Sequence, residues 1–147
     1  MTAKEARQLL LGQHERLRQA LGELERLAKA VAAGSESAGL RARAIALGEM
    51  VRDHNLDEER LLQPILKNLD AWGPERIDRL IEHHADEHAA LHRTLDEAAS
   101  EELSDGRRAS AVLVAVRELT EHMECEEREL LAENVLRDDV ITDGFCG

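Results

Sequence analysis

The chain has 147 residues, 31 acidic against 19 basic side chains, and a formal charge of −12. That length suits one domain with a real core, and the acidic balance excludes non-specific nucleic-acid binding, which needs a basic face to displace counterions. About 43% of the residues are hydrophobic, with one Phe, one Trp, no Tyr and two Pro, so strand-forming alternation is missing and helix is favoured throughout.

The N-terminus MTAKEARQLL carries no apolar signal core, and no apolar run approaches a membrane span. Thr2 with Glu5 forms a capping box that predicts a first helix to about Ala33, where GSES supplies a break. A second helix is expected from about Ser37 to Pro64, where the lost donor and the ring should end or kink it, leaving a short helical tail. After the AWGP turn, Pro74 suits the first position of a third helix to about Ser100. LSDG, with Ser104 or Asp105 as cap, opens a fourth helix to about Leu136. Short connections force antiparallel neighbours. The expected fold is an all-α, up-down-up-down four-helix bundle over residues 1–137, with a short tail over 138–147.

Inward positions should recur at steps of three and four. The first helix then turns Leu10, His14, Leu17, Leu21, Leu24, Ala28 and Val31 to the core. The second turns in Leu40, Ala44, Leu47, Val51, His54, Glu58, Leu61 and Ile65. The third gives Ile77, Ile81, His84, His88, Leu91, Leu95 and Ala98, and the fourth Val112, Ala115, Leu119, His122, Glu126 and Leu130. Each stripe is apolar except where it is His or Glu. A buried unpaired carboxylate or imidazole is costly against a net stability of roughly 5–15 kcal/mol, so the exceptions need a common partner. Counted outward from turns near residues 36 and 104, all seven lie within roughly one or two turns of one level, at about 1.5 Å per residue.

Five imidazoles and two carboxylates exceed one tetrahedral zinc and are too nitrogen-rich for calcium or magnesium. They suit two octahedral non-haem iron ions, oxo- or hydroxo-bridged. Three histidines on one ion and two on the other leave one position open, where dioxygen, nitric oxide or peroxide would bind. The Glu-x-x-His mark of ferritin-like bundles is absent, as is the HExxH of zinc proteases.

At this point four segments resemble the hemerythrin-like (HHE cation-binding) family. They are QHERLRQAL around His14, HNLDEERLLQP at 54–64 with Gln63 where Phe is usual, HHADEHAALH at 83–92, and HMECEERELL at 122–131. The resemblance covers roughly residues 3–136. It implies that His84, His88 and His122 bind one iron, that His14 and His54 bind the other beside the open site, and that Glu58 and Glu126 bridge. Oxygen carriers of the family usually close with His-x-x-x-x-Asp. Here Glu126 stands four residues after His122 and Glu127 five, so Glu127 is the alternative bridge. The family's carriers move two electrons and a proton to oxygen reversibly. The expected function is therefore binding of dioxygen or a related diatomic, rather than catalysis. The alternatives are a stress-defence enzyme acting on peroxide or nitric oxide, and an iron- or oxygen-sensing or iron-storage domain.

The remaining polar residues have plainer expectations. His83 should be exposed, and His92 sits where it could back a ligand. Glu59 and Glu127 should face solvent, and Asp53 and Asp57 should supply surface charge. Cys125 should be a small buried thiol off the metal face, Cys146 a tail thiol open to intermolecular pairing, and Trp72 should pack at its turn. Two cysteines without CxxC or framework spacing suggest a cytoplasmic, thiol-reducing compartment. The sequence leaves the oligomeric state open.

Overall fold

A computed structural model describes residues 1–35, 39–67 and 74–132. Ser37, Trp72, Cys146, the side chain of Ile77 and the expected tail lie outside the described residues. Four helices follow one another, α1 (Ala3–Ala32), α2 (Leu40–Lys67), α3 (Pro74–Ala99) and α4 (Asp105–Glu129), with no strand among the described residues. Each packs on its two neighbours around the bundle, α1 on α2 and α4, α3 on α2 and α4. This is the antiparallel bundle that the short connections predict.

The ends follow local chemistry. The Thr2 hydroxyl accepts from the Glu5 amide at 3.1 Å, while the Glu5 carboxylate accepts from the Thr2 amide at 2.7 Å. At the other end of α1, Gly34 takes φ 101°, a region open to glycine, and the Ser35 amide donates to the Ala30 carbonyl. The carbonyls that close α3 are met by two arginines: buried Arg108 donates to Ala98 O at 2.8 Å, and Arg41 to Ala99 O at 2.9 Å. Ser104 caps α4.

Two boundaries bear on the expectations. Of the two outcomes expected at Pro64, an end or a kink with a short helical tail, the helix does not end there but continues to Lys67. Leu62 and Leu66, flanking the proline, are buried with Leu10, Leu80, Leu130 and Leu131, and that packing keeps the turn in place despite the missing donor. α4 stops at Glu129 instead of reaching Leu136, and the two residues that follow, Leu130 and Leu131, are both buried beside Leu10, Leu62 and Leu66. Their amides share the Glu126 carbonyl, each at 2.8 Å, and Arg7 donates to Leu131 O.

The α1 stripe is buried throughout, as expected. On α2 the buried residues after Glu58 are Leu62 and Leu66 rather than Leu61 and Ile65, and on α3 Leu80 is buried while Ile81 is only partly so. The physical reason is drift: a straight helix at 3.6 residues per turn gains about 20° per heptad on a 3.5-residue repeat. Successive steps of four replace the alternation. The core is thus split into two apolar bodies. One holds Leu17, Leu21, Val51, Leu91, Leu119 and Met123 among others; the second is the leucine group around Leu10. The interrupted stripe positions lie between them.

Candidate metal centre

All seven interruptions arrive in that middle layer. α1 supplies His14, α2 His54 and Glu58, α3 His84 and His88, α4 His122 and Glu126. Within α2, α3 and α4 the pairs are four residues apart, so both members face the same way. His14 and Glu58 are fully buried, and Glu126 is 1% exposed. His84 and His122 retain slightly more exposure on the α3–α4 side.

Their ligand atoms form two quartets within 4.8 Å: His84, His88, His122 and Glu126 in one, His14, His54, Glu58 and Glu126 in the other. Glu126 belongs to both. Glu58 also reaches the first quartet, in direct contact with His84 Nε2 and 3.7 Å from His88 Nε2. Glu127 is outside the layer, with its carboxylate on the Arg18 guanidinium.

The close contacts are mostly not hydrogen bonds. His122 Nε2 is 2.9 Å from Glu126 Oε1, His84 Nε2 is 3.3 Å from Glu126 Oε2, and His54 Nε2 is 3.1 Å from Glu58 Oε2. Yet Glu58 Oε2, both Glu126 oxygens, His122 Nε2 and both His88 nitrogens are buried without a hydrogen-bond partner. For the Glu58, Glu126 and His122 atoms the distances suffice and the angles do not, while the His88 nitrogens stand 3.7 and 3.6 Å from the carboxylates of Glu58 and Glu59: these atoms aim at shared space rather than at one another. The His14 and His54 Nε2 atoms, 3.2 Å apart, have close to the separation of neighbouring ligands each about 2.1 Å from one ion. Orphaned buried polar atoms cost about 1–3 kcal/mol each, and a cation would satisfy several together. The donors, imidazole nitrogen with carboxylate oxygen, suit iron, manganese or zinc better than calcium.

The electrostatics of the layer is divided. Burial, reinforced by neighbouring His54, pulls His14 down to about 4; burial and His84 pull His88 down to about 3. For His84 burial acts the same way but is outweighed by Glu126, Glu58 and Glu87, which push it up to about 12. His122 is raised by Glu126 against the same burial. Burial and the adjacent Glu58 raise Glu126, whereas Glu58 is held low despite burial by the close approach of Glu126, His54 and His84.

Behind the layer stands a ring of groups facing the outer imidazole nitrogens. Glu87 Oε2 lies 3.5 Å from His122 Nδ1 and 3.8 Å from His84 Nδ1. Glu59 is 3.6 Å from His88 Nδ1, and Glu127 is 3.8 Å from His14 Nδ1. Gln13 Oε1 is 2.7 Å from His54 Nδ1. Such partners orient metal-binding histidines. Glu59 is still largely exposed, but Glu127 is half-buried on Arg18 instead of facing solvent, and Asp57 holds Gln13 instead of only adding charge. Gln13, Arg18 and Glu87 carry no local signal in the sequence; each flanks a stripe and finds its histidine only through packing. His83 is exposed, as expected, and lies 3.4 Å from Glu87. His92 faces buried Asn55 at 3.2 Å and does not back the layer. Cys125 is half-buried rather than buried.

A bundle with an inward layer of histidines and carboxylates on four helices defines a class of metal-binding helical domains. The hemerythrin HHE cation-binding domain family matches residues 6–133, and the chain belongs to that family. No curated protein and no solved structure gives a significant match. No helix among the described residues is long and apolar enough to cross a membrane.

Proposed function

We propose that this chain is a non-haem di-iron protein that binds dioxygen, or a related diatomic, at one of its two metal positions. The observation that carries the reading is the pair of quartets sharing Glu126, three histidines in one and two in the other. His84, His88 and His122 would hold one iron, His14 and His54 the second, with Glu58 and Glu126 common to both. The two-histidine half is the one with a coordination position to spare. An iron pair, when bound, supplies reversible one- and two-electron exchange with a small diatomic.

The chain's own contribution is support and exclusion. The helices fix five Nε2 atoms at one level, the outer ring takes up the Nδ1 side, and the two leucine-rich bodies keep water from the layer on both sides.

The test begins with metal analysis and an optical spectrum of freshly purified protein, where two irons per chain are expected. The anaerobically reduced protein should then change spectrum on exposure to oxygen and recover when oxygen is removed. Zero or one metal per chain, or irreversible oxidation at the first exposure, would overturn the reading. Steady consumption of peroxide or nitric oxide, lost in His54→Ala, would favour an enzyme on the same centre. A large stability change on chelation with neither reversible binding nor turnover would favour sensing or storage.

A further inference from the structure

His54 is gripped from behind by a side chain of another helix. Its Nδ1 lies 2.7 Å from Gln13 Oε1. Gln13 Nε2 in turn donates to Asp57 Oδ2 at 2.7 Å, and Arg60 donates to the other Asp57 oxygen at 2.9 Å. The other four histidines of the layer face their outer carboxylates at 3.5–3.8 Å, beyond a good hydrogen bond. Only His54 is held by a short one.

The chain of bonds has one consistent direction. A carboxylate paired with a guanidinium only accepts, so Asp57 selects the NH2 side of the Gln13 amide. A reversed amide would set oxygen against oxygen. The amide oxygen is therefore left facing His54, and since it too only accepts, the proton of neutral His54 belongs on Nδ1. That leaves Nε2 as the bare lone pair, and Nε2 is the nitrogen turned toward His14 and Glu58.

We infer that Gln13 is a positioning residue of the metal centre: held by Asp57, it fixes His54 with its proton on Nδ1 and its Nε2 lone pair ready for a cation. The inference rests on the metal-binding reading for its purpose, but not for its test. A carboxylate in this place would strengthen electron donation through the ring. A neutral amide fixes the proton without adding charge, which distinguishes His54 from the other four histidines.

The experiment uses the full chain, metal-free and 15N-labelled, with long-range proton–nitrogen correlation of the imidazoles. His54 is expected in the Nδ1–H form. Gln13→Leu, which keeps bulk and helix propensity but removes the acceptor, should shift His54 to a mixture of tautomers. Asp57→Asn should do so partly, because the Gln13 amide is then free to turn. The paired change Q13E/D57N restores an acceptor toward His54 and a donor behind it, and should restore the Nδ1–H form. Anaerobic titration with ferrous iron should show one of two binding events weakened roughly 10–100-fold by Q13L, the other unchanged, with Q13E/D57N recovering. Helical content by circular dichroism should be the same in all four proteins. An unchanged His54 tautomer in Q13L, an Nε2–H form in the wild type, or an equal weakening of both events alongside lost helicity would overturn the inference. If the tautomer follows Gln13 while the wild type takes up no iron, the positioning stands and the iron reading fails.

Discussion

Glu126 and Glu127 are neighbours in the chain with opposite surroundings: Glu126 is buried 2.9 Å from His122 Nε2 and 3.7 Å from His14 Nε2, while Glu127 lies on Arg18 at the bundle surface. One residue along a helix is a rotation of about 100°, enough to take a carboxylate from the interior to the rim. We expect Glu126→Gln to abolish stoichiometric metal binding, since it alters both quartets. Glu127→Gln should keep the stoichiometry and weaken affinity by about tenfold, the lower end for an outer partner. Metal content after gel filtration measures both. Equal losses in the two variants would show that Glu126 is not the shared ligand.

Metal removal should destabilise the fold, because the unsatisfied atoms of His88, His122, Glu58 and Glu126 are left buried. A site at 100-fold excess of free ion over its dissociation constant adds about 2.7 kcal/mol, or roughly 5–10 °C in midpoint for a domain of this size. Thermal melts with and without a chelator check this. Coincident curves would mean that no ion binds the native layer preferentially.

The metal-free protein should be most stable near the ordinary histidine pKa of 6.5. Unfolded His14 and His88 titrate at about that value, but their folded values are depressed to about 4 and about 3. Between those limits the unfolded chain binds more protons, so stability falls as the pH drops from about 6.5 toward 3. His84 has the opposite sign: raised to about 12 when folded, it contributes fully below about 6.5 and is lost as the pH rises toward 12. Urea midpoints across pH 4–9 should trace a maximum. A monotonic profile would show that one of the two effects is absent.

Leu17 and Leu24 are equally buried on α1, one turn and nearly three turns from His14. Truncation of either to Ala should cost about 2–5 kcal/mol by the same cavity argument. Only Leu17→Ala opens the wall nearest the layer, so on the proposed di-iron reading only it should speed loss of the reduced, iron-loaded state in air, at matched folded fraction. Identical oxidation rates in the two variants would count against the leucine layer as the water barrier.

The four helices, the capping box at Thr2, a cap at Ser104 or Asp105, and the inward direction of all seven His and Glu residues were legible in the sequence alone. Each depends on local periodicity and end chemistry, which neighbouring residues along one chain settle between themselves. Helix drift was not legible, because a small angular error accumulates with every turn; it moved burial from Leu61, Ile65 and Ile81 to Leu62, Leu66 and Leu80. The passage of α2 through Pro64 depended on what its last turn packs against. Likewise the assignment of Gln13 to His54, Arg18 to Glu127, and Glu87 to both His84 and His122 joins positions that only packing brings together. Periodicity along each helix determined which side chains point inward; the rotation and height of one helix against the next decided which of them meet.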